Sequence, residues 1–135
     1  MPWPHRFDLR IYYEDTDCGG VVYYANYLKY FERARTHCLE ARGVAVSAQL
    51  QEGTQFVVVH AELDCRSPAR YGDVLTIETT LPEVTRATLT FAHVIREQQS
   101  GRIVVEGAAR LAATDLSGKV KRLAPDVVAR LRMQQ

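Results

Sequence analysis

Two carboxylates and two adjacent glycines stand together early in the chain, between a stretch that alternates like a strand and one with helical spacing. The segment is YEDTDCGGVVYYANY, residues 13–27, and Asp17 directly precedes Cys18 and the glycine pair. A carboxylate just before a helix lies close to backbone N–H groups that the helix leaves unpaired. Such a carboxylate can cap the helix. Alternatively, it can attack a substrate carbonyl, or activate water for that attack, while the N–H groups polarise the carbonyl.

Local spacing alone leaves Asp17 open to both uses, because aspartate is also a common N-cap and Asx-turn residue. Gly19 and Gly20 lack a Cβ, so the backbone there can turn sharply and let a substrate approach closely. Asp15 is expected to be an exposed turn residue or to fix the loop through a backbone hydrogen bond.

Other common catalytic arrangements find no support in the sequence. The four histidines are scattered without H-x-x-x-H spacing, so no metal site is expected. A G-x-S-x-G motif is missing as well, which excludes the triad of an α/β-hydrolase. No cofactor is expected.

Composition indicates one globular domain over residues 1–135, with a net charge of +1. This charge excludes a strong overall attraction to nucleic acid. No apolar run approaches the roughly 20 residues of a transmembrane helix, and the N-terminus lacks the apolar core of a signal peptide. The three cysteines have no C-x-x-C spacing, which favours a reducing, cytoplasmic location.

The elements that would position the turn follow from hydrophobic periodicity. Residues 7–13 alternate as a half-buried strand, and residues 24–41 have the one-sided stripe of an amphipathic helix of about 16 to 18 residues, with Gly43 as its stop. Four strands follow Thr54, and their spacing predicts an antiparallel meander. A short helix is predicted over residues 127–132.

The second strand is expected to place five alternating residues on one face: Val57, Val59, Ala61, Leu63 and Cys65. One helix covers only part of one face of a five-stranded sheet, so the sheet is expected to curl around it. Residues 55–59 and 103–105 are apolar on both faces, and a second subunit is the natural cover for the outer one.

The run YYEDTDCGGVVYYANYLKYFERAR, residues 12–35, resembles the signature of hotdog-fold acyl-CoA thioesterases of the 4-hydroxybenzoyl-CoA thioesterase type, in the YbgC-like, Tol–Pal-associated group. The run RSPARYGDVL, residues 66–75, is similar to the family's segment before its third strand. The resemblance extends to about residue 125.

The resemblance implies an α+β hotdog fold, in which a five-stranded antiparallel sheet wraps around one long helix. It also implies dimers joined at the sheet edges, and often homotetramers.

The resemblance further implies cofactor-free hydrolysis of an acyl-CoA to free acid and coenzyme A. Asp17 would be the nucleophile or the general base, and the backbone N–H of Tyr24 would bind the thioester oxygen. Many YbgC-like members have histidine where this chain has Tyr24, and a backbone role survives that change. Glu32 would lie near the second subunit's part of the site, where it could position the water. Its alternative is a local pair with Arg35 or Thr36 on the same helix.

The expected substrate-binding residues come from the turn, the start of the helix and the later motif: Gly19, Gly20, Val21, Val22, Asn26, Arg66, Pro68 and Arg70. Asn26 is expected to be either a local cap or a residue that shapes the site. Arg66 and Arg70 are the first candidates for the phosphates of coenzyme A. The other basic candidates are Arg86, Lys119, Lys121 and Arg122.

Two further functions remain open from the sequence. One is a non-catalytic module that binds acyl-CoA or an acyl carrier protein in the same groove. The other is a hotdog dehydratase, which would need a histidine paired with a carboxylate where this chain has Tyr24. In each case an acyl-CoA or acyl carrier protein is the expected partner, in addition to a second copy of the chain.

Overall fold

One long helix, α1 (Asn26–Ala41), packs on one face of a five-stranded antiparallel sheet in the computed structural model, which describes residues 3–133. Most of the predicted apolar stripe is buried, including Tyr27, Phe31 and Ala34. Tyr24 precedes the helix and is 60% exposed, and Leu28 is 41% exposed, so the prediction is wrong at these two positions. The predicted stop is also confirmed, since Gly43 has a φ of +78° and its N–H donates to the Glu40 carbonyl at 3.0 Å. The long helix and the sheet therefore agree with the expected α+β fold.

The strand order confirms the five-stranded sheet but corrects the meander. In chain order the strands are β1 (His5–Arg10), β2 (Gln55–Cys65), β3 (Val74–Val84), β4 (Thr88–Glu97) and β5 (Ile103–Thr114). The order across the sheet is β1-β3-β4-β5-β2. Only β3, β4 and β5 form a meander. The eight residues between β2 and β3 carry the chain across the sheet, so β2 forms an edge beside β5 rather than pairing with β3.

The predicted face of β2 is wrong in its first half. Val58 pairs with Leu111 and His60 pairs with Arg110, so Val59 is an extra residue that forms a β-bulge. A bulge reverses the alternation of side chains beyond it. Ala61, Leu63 and Cys65 therefore share a face with Val58, while Val57 points the other way.

Other boundaries differ by a few residues. The first strand ends at Arg10 rather than at Tyr13, because Tyr13–Asp15 forms a short 3-10 turn. β3 continues past the expected break at Pro82, with a register shift between Thr80 and Glu83. A short helix, α2 (Val46–Gln51), has no counterpart in the sequence prediction. The C-terminal helix, α3, begins at Pro125 and ends at Arg132, as expected within two residues.

A glycine in β5 sets how closely α1 approaches the sheet. A Cβ built on Gly107 would lie 2.6 Å from the Phe31 ring and 2.5 Å from the Glu62 carbonyl oxygen, closer than real Cβ contacts. The Phe31 ring also stacks on His93, with centroids 4.5 Å apart. Burial lowers the pKa of His93 to about 3, so this histidine is a neutral part of the core. The packing fixes the half of α1 that borders the Asp17 turn.

Candidate active site

Backbone hydrogen bonds fold the Asp17 segment into a tight loop. The Asp17 N–H donates to the Val21 carbonyl at 2.8 Å, and the Gly20 N–H donates to the Asp17 carbonyl at 3.0 Å. Gly20 has a φ of +79°, a conformation that glycine adopts without strain. The Val22 N–H donates to the Ala69 carbonyl at 2.8 Å, which ties this loop to the segment between β2 and β3. The two segments that carry the family resemblance, residues 12–35 and 66–75, are thus brought together in space.

The Asp17 carboxylate occupies an Asx turn and also borders a cleft. Its Oδ1 accepts a hydrogen bond from the Gly19 N–H at 2.8 Å. Its Oδ2 has no hydrogen-bond partner within residues 3–133. The side chain is exposed to a cleft of about 350 Å³ that it lines together with Val21 and Val22. One oxygen is held in place and the other is available to a ligand.

Tyr24 lines the same cleft and supplies a backbone donor without an acceptor. The Tyr23 N–H before it donates to the Asp15 carbonyl at 3.0 Å, and the Asn26 N–H after it donates to the Tyr23 carbonyl at 2.9 Å. In the described part of the chain, no acceptor pairs with the Tyr24 N–H. Unpaired donors are expected just before a helix. Tyr24 as a whole residue is 60% exposed.

Asn26 does not line the cleft but holds in place the loop that contains Asp17. Its Nδ2 donates to the Asp15 carbonyl at 2.9 Å, which fastens the loop to the first turn of α1. The Asp15 carboxylate in turn accepts from the Tyr12 N–H at 2.8 Å, the loop-fixing use that the sequence suggests. Burial, with a further contribution from the Asp15 carboxylate, raises the pKa of the Tyr30 phenol beneath this loop.

The opposite wall of the cleft comes from the end of β2 and the residues after it. Arg66 and Pro68 line this wall, together with Cys65 and Ser67. Arg102 supports this wall from β5's preceding turn, because its guanidinium donates to the Ser67 Oγ at 2.8 Å and to the Pro68 carbonyl at 2.7 Å. Nothing in the sequence marks Arg102, since a lone arginine after a turn is usually solvated.

Three lining residues were missed by sequence reasoning: Tyr27, Cys65 and Ser67. Tyr27 fits the buried stripe of α1, so its spacing predicts only that it packs in the core. The spacing gives no sign that Tyr27 also lines the cleft. Burial raises the pKa of its phenol, which is therefore neutral at pH 7. Cys65 is a free, exposed thiol at the end of β2.

The basic residues expected to hold phosphates divide between the two ends of the sheet. Arg66 borders the cleft, but its guanidinium already pairs with Glu106 at 3.0 Å. Arg70 is exposed on the adjacent turn, and it forms a β-bridge with Val21. The remaining candidates lie beyond the other end of β4 and β5: Arg86, Lys119, Lys121 and Arg122. They do not border the Asp17 cleft of the same chain.

Glu32 lies in a different cleft of the same chain. It borders a space of about 90 Å³ with Arg35 and Thr36, and its carboxylate accepts a hydrogen bond from the Thr36 Oγ1 at 3.0 Å. This is the local pairing that the sequence offered as the alternative. Within one chain, the structure does not bring Glu32 to Asp17.

Known proteins resemble both the sequence and the fold. A family model described as the thioesterase-like superfamily matches residues 12–131. The acyl-CoA thioesterase YbgC of Haemophilus influenzae is 40% identical over 119 residues, covering 87% of this chain and 85% of that protein. A probable thioesterase from Bartonella henselae is 34% identical, with a TM-score of 0.80 over 90% of this chain and 99% of that one. A hypothetical protein from Thermus thermophilus reaches a TM-score of 0.91 at 28% identity, over 97% of this chain and 99% of that one. None of the helices in residues 3–133 is long and apolar enough to cross a membrane.

Proposed function

Because the chain belongs to the thioesterase-like superfamily, we propose that it hydrolyses acyl-CoA thioesters to the free acid and coenzyme A, with Asp17 as the reacting carboxylate. One observation carries the proposal: the Asp17 carboxylate and Tyr24, whose N–H has no acceptor in residues 3–133, line the same cleft. A thioester that enters this cleft meets a negatively charged oxygen and a backbone donor together.

The Tyr24 N–H would bind the thioester oxygen as it gains charge. A preorganised donor of this kind typically contributes ~3 kcal/mol to transition-state stabilisation. The beginning of α1 adds a favourable field, because the N-terminal end of a helix carries a partial positive charge. The donor belongs to the backbone, so the reaction requires no particular side chain at position 24.

Asp17 would act in one of two ways. As a nucleophile, its Oδ2 attacks the carbonyl carbon and expels the thiolate of coenzyme A, which leaves a mixed anhydride that water then cleaves. As a general base, it takes a proton from water while the oxygen of that water attacks the same carbon, and the tetrahedral intermediate then breaks its C–S bond and expels the thiolate of coenzyme A. In both routes the hydrogen bond from Gly19 fixes the orientation of the carboxylate.

A second copy of the chain would complete the site. The exposed β2 edge carries Val57, Val58 and Val59, which are 41%, 45% and 53% exposed. Long apolar edge strands normally find a pairing partner. We propose that β2 pairs antiparallel with β2 of a second copy, as a homodimer or as a homotetramer built from two such dimers. In that arrangement Glu32 would act in the partner's site, where it would position the attacking water.

Further proposals concern the setting of the enzyme. The three cysteines are free thiols, which fits a reducing, cytoplasmic location. Residues 1–135 would form a single hotdog domain. Arg66 and Arg70 would receive the phosphates of coenzyme A at the mouth of the cleft. An acyl carrier protein is an alternative carrier of the acyl group.

Thiol release from acyl-CoAs by Asp17→Asn tests the proposed function. This substitution keeps the size of the side chain and an acceptor oxygen for the Gly19 N–H, but it removes the charge. We expect kcat to fall by about 100-fold or more, the usual contribution of a positioned acid or base. The matched control is Glu14→Gln, which removes an exposed carboxylate from the same loop and should keep the wild-type rate.

Two results would overturn the proposal. Full activity in Asp17→Asn would remove the carboxylate from the chemistry. Tight binding of acyl-CoA by the wild-type protein, without any release of thiol, would instead identify a binding module.

A further inference from the structure

Arg35 is a buried arginine without an anionic partner. Its side chain lies on the buried face of α1, and the residue is only 8% exposed. None of the ion pairs in residues 3–133 includes Arg35, and no hydrogen bond of its guanidinium is present there. Buried charges are normally paired because removing them from water costs free energy. Arg35 is thus a largely buried residue with no anion beside it, and its guanidinium nitrogens are not among the fully enclosed unpaired atoms, so an anionic ligand can reach them.

The nearest charged side chains do not neutralise it. Glu32, one turn earlier on α1, does not come within ion-pair distance and accepts a hydrogen bond from Thr36 instead. His93 lies beneath the helix and is neutral, since burial lowers its pKa to about 3. Burial also lowers the pKa of Arg35 itself, with only partial compensation from Glu32.

Arg35 borders an apolar groove between α1 and β2. The groove has a volume of about 170 Å³, and its other lining residues are Leu28, Phe31, Val58, Ala61 and Ala109. Every one of these is apolar, so Arg35 is the only polar residue among the described lining residues. A ligand in the groove would thus meet an apolar passage with one positive charge.

The groove and the Asp17 cleft follow one another along the same two elements. The cleft takes Tyr27 from α1 and Cys65 from β2, and the groove continues with Leu28 and Ala61. Arg35 lies about 14 Å along α1 from its first residue, Asn26, at a rise of ~1.5 Å per residue, and long helical side chains lean back toward the N-terminus. An acyl group held by its carbonyl at Tyr24 would extend toward Arg35 over a distance that suits a medium-length chain.

We infer that Arg35 selects acyl groups that carry a carboxylate at their far end, so that the preferred substrates are thioesters of dicarboxylic acids. This inference rests on the proposed thioesterase function and adds the substrate class. A carboxylate pairs with a guanidinium through two parallel N–H···O hydrogen bonds, which explains the choice of anion. The apolar lining would contact the methylene groups between the two carboxyl carbons.

The experiment compares octanoyl-CoA with suberoyl-CoA, which have the same number of carbons and differ in the terminal carboxylate. We expect the wild-type kcat/KM to be on the order of 10- to 100-fold higher for suberoyl-CoA, the range expected for a hydrogen-bonded charge in a desolvated site. Arg35→Met should abolish this preference by lowering kcat/KM for suberoyl-CoA selectively. Arg35→Lys should restore part of it, because the positive charge returns without the planar fork. The control is Arg33→Met, which changes an exposed arginine on the same helix.

The outcomes separate this inference from the proposed function. Hydrolysis of both thioesters with equal kcat/KM by the wild type would overturn the role of Arg35 and leave the thioesterase standing. Equal losses for both substrates in Arg35→Met would show a structural role instead. If neither thioester were hydrolysed, the proposed function would fail. Calorimetric binding of the two CoA esters to the wild type would then decide the inference, which requires tighter binding of suberoyl-CoA. These wild-type measurements remain decisive if Arg35→Met does not fold.

Discussion

At Asp17, a structural hydrogen bond and an oxygen that remains available to a ligand occur in the same side chain. The Oδ1 atom accepts from the Gly19 N–H, as a purely structural aspartate would, yet Oδ2 has no partner in residues 3–133. A fixed carboxylate with one unoccupied oxygen is better placed for reaction than a freely rotating one. Gly19 contributes to this geometry, because a Cβ at that position would lie 3.2 Å from Oδ1.

The backbone role of residue 24 gives a prediction at the same scale. Tyr24→Phe and Tyr24→His both keep the backbone N–H and change only an exposed side chain. We therefore expect the kcat of each variant to stay within about threefold of the wild type, in contrast to the large loss in Asp17→Asn. Single-turnover thiol release measures this without interference from product release. A loss in Tyr24→Phe as large as that in Asp17→Asn would assign the reaction to the phenol hydroxyl instead.

At the scale of elements, the sequence predicts the features that depend on hydrophobic periodicity. It misses the features that depend on how the strands pair. The stripe of α1 and its end at Gly43 are local properties; the end is confirmed, and so is most of the stripe, with Tyr24 and Leu28 as the exposed exceptions. The bulge at Val59 is not local, because it exists only in the register between β2 and β5. Three consecutive valines, Val57 to Val59, contain no sign of which residue is the extra one.

The candidate site also combines residues that are close in sequence, which could be predicted, with residues that only the fold brings together, which could not. Asp17 and Tyr24 stand within one motif, and the structure places both at one cleft. Arg102 and Ser67 are 35 positions apart and meet only because β5 pairs beside the end of β2. Their contact could not be read from spacing, although it holds the wall opposite Asp17.

Gly107 offers a test of how α1 is seated on the sheet. Gly107→Ala would place a methyl group 2.6 Å from the Phe31 ring and 2.5 Å from the Glu62 carbonyl oxygen, so the helix or the strand must shift. Overpacking of this kind costs ~1–3 kcal/mol in the free energy of unfolding. Urea unfolding followed by circular dichroism measures the loss. It should be accompanied by lower activity, because the ring of Phe31 also lines the groove beside the cleft.

A double substitution separates the two contacts of that methyl group. In a Phe31→Leu background the smaller side chain leaves room, so Gly107→Ala should cost less than it does in the wild type. The control is Ala108→Ser, a change of similar size at the next position of β5, which faces the other side of the sheet. If Gly107→Ala unfolds at the wild-type urea concentration, the close approach of helix and sheet is not a constraint on this fold.

At the scale of the whole molecule, one chain does not bring all the predicted catalytic residues together. Asp17 and Tyr24 share one cleft, whereas Glu32 borders another beside Arg35 and Thr36. The two clefts lie at different points along α1, whose flank faces the exposed β2 edge. A second copy joined at that edge would run antiparallel to the first and bring the middle of its α1 toward the partner's cleft. Oligomerisation and catalysis would then depend on the same contact.

Val59→Lys tests that dependence. Lysine on an edge strand is a common natural barrier to strand pairing, and Val59 is 53% exposed within the bulge of β2. We expect the dimer dissociation constant to rise at least tenfold, equivalent to ~1.4 kcal/mol. Light scattering over a dilution series should show the 15.3 kDa chain as a monomer at concentrations where the wild type is a dimer. The kcat/KM should fall in parallel and recover at high protein concentration, because each of the two active sites of the dimer needs the partner chain.

The control is Val120→Lys, which changes a valine that is 64% exposed away from this edge and should alter neither the dimer dissociation constant nor kcat/KM. A wild-type protein that stays monomeric and fully active would separate Glu32 from the site and leave the chemistry to Asp17 and the backbone of Tyr24.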